Sequence, residues 1–416
     1  MWEEEIGDYP VPFRKQGDEF VHHISTELGD DGLVNASGTD GVSPVEVGPP
    51  LSGVVSSTLL IRPHPDDEQR VICAVRGDTR SVSSEQVEPW RTAVTAAAAA
   101  IGKRNQAYAW QAIVGTAHGP GVDRLGQLAG ECALGPLVLR PGGVCMREYL
   151  GHRDRIDQGQ FIRYTFPVIV TGRINTYAWN AAEPTAGWAL RRACALLTLA
   201  TGSLWISRST PRPIPEGGPD WRVPTTVGVS LGPVPDTEWT GKVPDGTAEF
   251  SLGSWAMAAW KVLDDDEDLD VAVDAHYQAL RLKDDGHPST AYLTFVAAIE
   301  GFGMRLVQEG PCTCHPECSH KKGVAEKRFQ KALKTVMTNS QVKRLAGHAY
   351  ELRSHTGHRG TLFGSERTFG YPGLRLTDFP ITVIFESQML GEIQDASRRV
   401  LLNALGAPAP KPLRSA

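Results

Sequence analysis

No stretch of this chain combines the length and apolarity that crossing a bilayer requires. The most apolar segments, "AVTAAAAAIG" and "ACALLTLATGSLWI", fall short of the ~20 large apolar residues a spanning helix needs. The opening "MWEEEIGDYP" is acidic and has no apolar run, so no secretory leader is expected. Cysteine is also scarce, seven in 416 residues, with three of them between positions 312 and 318. That number argues against a disulfide framework and predicts a reduced, cytoplasmic protein. Positive charge is in deficit overall: the net charge of −6 speaks against a general nucleic-acid binder. Internal repeats are absent too.

What is present is an ordinary globular composition, 41% hydrophobic, in a chain long enough for two domains with their own cores. Its charge is unevenly distributed. From Lys321 to Arg367 there are eleven Lys and Arg against three acids, Glu326, Glu351 and Glu366. The run "DDDEDLD" from Asp264 to Asp270 supplies part of the balance. A basic helix is often just a solvated surface, but a basic module on an acidic protein keeps a polyanionic partner open.

The pattern of residues predicts an α+β N-terminal region followed by an all-α bundle. Residues 1–50 read as irregular, rich in Gly, Asp, Ser and Pro. Residues 51–250 read as an α+β domain that senses or positions something. Here "GVVSSTLLIRP" and "QRVICAVRG" bracket a polar turn as a hairpin. "AVTAAAAAIG" and "AGWALRRACALLTLA" read as helices, the second stopped at Thr201-Gly202. "FIRYTFPVIVTGR" reads as one strand whose Pro suits a sheet edge. Pro and Gly from Pro211 to Pro244 suggest a long loop or short strands. Residues 251–405 read as consecutive helices. One carries an apolar face of Tyr292, Phe295, Val296, Ile299, Phe302 and Leu306. The last is expected from about Pro380 to Leu405, before a disordered tail at 406–416.

Within that helical region stands "AYELRSHTGHRG", residues 349–360. Val342, Leu345, Ala346 and Ala349 form an i, i+3, i+4, i+7 stripe, and Arg353 falls back on it. A guanidinium keeps its charge, so on a packed face it needs an anion or strong acceptors. Pairing with Glu300 or Glu351 is one answer and an anionic ligand is the other. With Tyr350, Arg353, Ser354 and His358 in a Y-x-x-R-S-x-x-x-H pattern, the segment resembles the Apea-like branch of the HEPN superfamily. "AYLTFVAAIEGFG", with Glu300, is similar to a helix of that branch. The resemblance spans about residues 255–405. One departure is Arg359, where the family usually has Gly; Gly360 follows one place late.

The resemblance implies metal-independent cleavage of RNA by attack of the 2′-OH on the adjacent phosphorus. It also implies a homodimer through the C-terminal bundle and a role in bacterial defence or as a toxin. His358 suits the proton shuttle and Arg353 the phosphate clamp, with Ser354 on the phosphate or the imidazole. On a continuous helix Arg353 and His358 would point about 140° apart, but Thr356-Gly357 can end the helix and bring them together. Arg359, His355 and Tyr350 are the substrate-binding candidates, although Tyr350 is also a natural core aromatic. No cofactor is expected for catalysis.

Two further strings stand out. In "CTCHPECSH", Cys312, Cys314, Cys318 and His320 offer four donors for a structural Zn²⁺, against the alternative of an inert surface loop. "HPDDE", His64 to Glu68, resembles the metal motif of PIG-L-type deacetylases, but a Pro-Asp-Asp turn within a hairpin explains it too. The expected function is thus a metal-independent endoribonuclease. The alternatives are a non-catalytic HEPN module that binds nucleic acid or protein, and a zinc-dependent deacetylase.

Overall fold

A computed structural model describes residues 2–29, 36–37, 45–48, 57–77, 84–116, 126–143, 146–150, 161–214, 237–239, 248–307, 325–347 and 379–408. The chain is a mixed protein of helices and mainly antiparallel sheets. Its contacts divide it into one unit of residues 1–107 with 175–181 and another of 108–174 with 182–416.

The first unit holds β1 (Trp2–Tyr9), α1 (Phe13–Glu27), β2 (Ala36–Ser37), β3 (Val45–Val47), β4 (Thr58–Pro63), β5 (Val71–Gly77) and α2 (Ser84–Ala100). The strands form one sheet in the order β1-β5-β4-β3-β2. Alternate residues Leu59, Ile61, Val71, Cys73 and Val75 enter a core with Phe20 and Ile24 of α1 and Val87, Trp90 and Val94 of α2. That period of two is what a sheet with one helix-covered face requires. The Trp90 indole donates to Ser57 Oγ at 3.0 Å, so its one polar atom is satisfied inside the core.

Within residues 1–50, then, the described stretch 2–29 is a strand and a helix rather than irregular chain. β1 was hidden because only Ile6 of its eight residues is buried, its acids facing outward to Arg62 and Arg70. α1 was hidden because its N-terminus has no side-chain cap. The hairpin of β4 and β5 is as expected, paired from Thr58↔Arg76 to Pro63↔Val71.

The second unit holds β6 (Gln106–Thr116), β7 (Gln127–Leu128), β8 (Cys132–Leu134), β9 (Leu137–Pro141), β10 (Met146–Leu150), β11 (Phe161–Thr165), β12 (Val168–Thr176), α3 (Trp179–Thr201), β13 (Trp205–Ser207), β14 (Arg212–Pro213), β15 (Thr237–Trp239) and β16 (Glu249–Phe250). The outer residues of β6, β12 and α3 fall to the first unit. The larger sheet runs β13-β6-β12-β9-β8, and a second runs β11-β10-β15. The segment read as one strand is two, because the chain breaks at Phe166-Pro167 and its halves join different sheets. Pro167 has no N–H to give a ladder; its carbonyl instead accepts from Gly142 N–H at 2.8 Å.

Helices follow: α4 (Trp255–Asp265), α5 (Glu267–Asp284), α6 (Pro288–Met304), α7 (Ala325–Lys334), α8 (residues 339–347) and α9 (Phe379–Ala404). Asp266 caps α5 by accepting Leu269 N–H at 2.9 Å. Acids open α5 and Arg281 and Lys283 close it, in accord with the helix dipole. Tyr292, Phe295, Val296, Ile299 and Phe302 of α6 are buried as the periodicity predicts, whereas Leu306 lies past the helix end and is 42% exposed. Gly303 lets α6 and α7 approach: a Cβ there would sit 2.5 Å from the Arg328 carbonyl oxygen. Gly303→Ala should therefore cost about 1–3 kcal/mol, read as a lower urea midpoint with an unchanged m-value.

Candidate functional site

Tyr350, Arg353, Ser354, His355, His358 and Arg359 lie outside the described residues, as do Cys312, Cys314, Cys318 and His320. What precedes them is described. On α8, Val342, Leu345 and Ala346 of the expected stripe are buried, and its fourth member, Ala349, lies outside the described residues. The opposite face exposes Lys343 and Arg344, and α7 exposes Lys327, Lys331 and Lys334. Arg344 reaches Glu392 of α9 at 3.6 Å, with two-thirds of its side chain still in solvent.

The string His64 to Glu68 forms the tight connection between antiparallel β4 and β5. Asp66 N–H donates to His64 Nδ1 at 3.2 Å, and Gln69 N–H donates to Asp67 Oδ1 at 2.9 Å. Both bonds close the turn, the second of them of Asx type, in a hairpin rather than a strand-to-helix crossover. Among the described residues no three His, Cys, Asp or Glu side chains are grouped to hold a metal ion.

Three clusters were not read from the sequence. In the first unit, the rings of His22, His23 and Tyr177 meet, with centroids 5.1 Å apart for His22 and Tyr177. His23 Nε2 lies 3.6 Å from Glu19 Oε1, and the same oxygen accepts Gly102 N–H at 2.6 Å. Burial lowers both histidine pKa values, and for His22 its neighbour His23 lowers it further. The doublet His22-His23, with Glu19 one turn before His23, was the available signal.

The second cluster is wholly buried. His276 Nδ1 shares a 2.9 Å hydrogen bond with Ser397 Oγ of α9, and its ring packs 5.3 Å from that of Phe295. Burial, then Arg398, pushes its pKa down to about 3. A neutral imidazole here is a packing element that joins α5 to α9.

The third is a cleft of about 350 Å³ in the second unit, between α3, α4, α5 and the larger sheet. It is lined by Trp110, Trp188 and Trp260, by Arg173, Arg191 and Arg192, and by Asp264, Asp270 and Asp274. Arg191 grips Asp274 with two parallel bonds, Nε to Oδ1 at 2.6 Å and Nη2 to Oδ2 at 2.7 Å. Arg192 donates to both Asp264 and Asp270, the latter at 2.9 Å, and stands over the Trp260 ring at 5.1 Å. Arg191 stands over Trp188 at 5.8 Å. The signal was an Arg-Arg pair within the apolar "AGWALRRACALLTLA", which needs anions on the face of whatever packs there. Nothing local named the partners, 72 to 83 residues away.

Comparisons of the chain with protein-family models, with curated proteins and with solved structures find no match.

Two measurements test these contacts. A double-mutant cycle on Arg192 and Asp270 should give a coupling of about 1 kcal/mol that shrinks in high salt, since both side chains keep some solvent contact. For His276 the folded pKa lies below the ordinary 6.5 of an unfolded chain. Between these values the unfolded state binds the extra proton, so stability is full above pH 6.5 and falls as pH drops toward 3. The slope should approach about 1.4 kcal/mol per pH unit as the unfolded histidine becomes fully protonated. Urea unfolding of wild type and His276→Gln between pH 6.5 and 5 should show a difference in slope that grows toward that value in the variant's favour at the acid end.

Proposed function

We propose that residues 251–405 form an all-α, HEPN-like bundle that acts as an endoribonuclease. The observation that carries this reading is the segment Tyr350, Arg353, Ser354, His358 following directly on α8. The buried stripe of Val342, Leu345 and Ala346 supports the amphipathic helix on which the reading rests. The exposed lysines of α7 and α8 support a polyanion as the partner, since each phosphate contact by Lys or Arg gains from counterion release.

In this reading His358 takes the proton of a ribose 2′-OH, and the oxygen attacks the neighbouring phosphorus. The P–O5′ bond breaks, a 2′,3′-cyclic phosphate forms, and the departing 5′-oxygen takes up a proton. Arg353 neutralises the charge that grows on the non-bridging oxygens, where a bidentate guanidinium outperforms a point charge. Ser354 orients phosphate or imidazole, while Tyr350, His355 and Arg359 line the path of the strand. Two copies sharing a cleft would supply a second Arg and His, giving base and acid together. Cys312, Cys314, Cys318 and His320 would brace the α6–α7 connection around a structural zinc ion, apart from the reaction. Bacterial defence or toxin activity is the setting in which such a nuclease fits.

Purified protein incubated with labelled RNA in EDTA should release fragments ending in 2′,3′-cyclic phosphate. Arg353→Ala and His358→Ala should each cut the rate at least about 100-fold, with melting unchanged; His355→Ala should lose far less. Salt-dependent binding without cleavage would favour the non-catalytic module instead.

A further inference from the structure

The cleft between α3, α4, α5 and the larger sheet is more than a clasp. Its charges are not evenly paired. Two carboxylates, Asp264 and Asp270, share the single cation Arg192 and leave one negative charge in excess. Arg191 and Asp274 cancel. Arg173, exposed on β12, also lines the cleft and has no anionic partner among the described residues. The lining thus offers spare carboxylate acceptors together with a guanidinium that no described anion answers.

Aromatic surface is left open beside it. Trp188 is 69% exposed although Arg191 stands over its ring. An indole so placed is held by a fixed guanidinium yet keeps ring surface for a planar guest. Asp274 in turn fixes that guanidinium, so the platform is built before any ligand arrives. At about 350 Å³ the space is near the small end of ligand pockets, roughly 300–1,000 Å³, which suits one small molecule rather than a polymer.

We propose that this cleft binds a nucleoside monophosphate. The base stacks on Trp188, where every base has a π-face to offer. Ribose hydroxyls or an exocyclic amine donate to Asp264 and Asp270, which have acceptor capacity to spare. The phosphate pairs with Arg173, a charge-assisted contact open to solvent. The proposal is independent of the ribonuclease reading, because it uses neither α8 nor the segment after it.

Calorimetric titration of the full chain with AMP, GMP, CMP and UMP, and with the matching nucleosides, tests it. At least one nucleotide should bind with Kd below about 1 mM, and its nucleoside at least about tenfold more weakly. Arg173→Ala should bring the nucleotide down to the nucleoside's affinity. Trp188→Ala should weaken both by at least about tenfold. Both side chains are exposed, so both variants should melt as wild type does. Absence of binding by all four nucleotides, or affinities unmoved by either substitution, would overturn the proposal. So would equal binding of nucleotide and nucleoside, or tighter binding of free aromatic amino acids, which offer the same charge pattern with a different ring.

Discussion

The buried guanidinium of Arg398 is the contact on which the second unit turns. Only 8% exposed, it donates from Nε to Leu199 O at 2.8 Å and from Nη2 to Ala200 O at 3.0 Å. Those carbonyls belong to the last turn of α3, where the chain has exhausted its own N–H donors and the helix dipole is negative. A cation that cannot shed its proton there meets the acceptors it needs. Gly202, at φ +78°, ends α3 beside it, and any Cβ at that position would sit 3.2 Å from the guanidinium. Arg191 and Arg192 pin the preceding turns of α3 to α4 and α5. α3 is therefore the spine shared by the sheet and the helices, and the compositional change near residue 250 marks a change of element type within one unit.

The same contacts revise the meaning of the charge pattern. The acidic run from Asp264 to Asp270 was read as a counterweight to the basic stretch of α7 and α8. In the structure three of its six acids are occupied at home. Asp264 and Asp270 hold Arg192, and Asp266 caps α5 while pairing with Arg305 at 2.7 Å. Those three acids are thus not what balances Lys327, Lys331, Lys334 and Lys343, and the net −6 of the whole chain hides a local excess of positive charge.

How much was legible follows from where each signal lies. Local patterns sufficed for the β4–β5 hairpin, for α3 with its Gly stop, and for the buried face of α6. β1 defeated the reading because an acidic outward face erased the alternation that marks a strand. "FIRYTFPVIVTGR" defeated it because one proline sent continuous β-propensity into two sheets. Leu306 failed by a single turn, where α6 ended before its periodicity did. The cleft was illegible for a different reason: charge pairs 72 to 83 residues apart leave no mark in any local window. The residues of the R-x4-H segment show the converse, a motif plain in the sequence whose geometry lies outside the described residues.

The chain passes between its two units at residues 107–108, 174–175 and 181–182. Neither unit is a beads-on-a-string module. Scission of any single peptide bond between residues 108 and 174 gives an N-terminal piece with most of the first unit and the start of the second. The C-terminal piece then keeps the strip 175–181, with Tyr177, that belongs against His22 and His23. Each fragment owes the other part of a core, so the molecule is a natural substrate for split-protein reconstitution, its halves able to report on their own proximity.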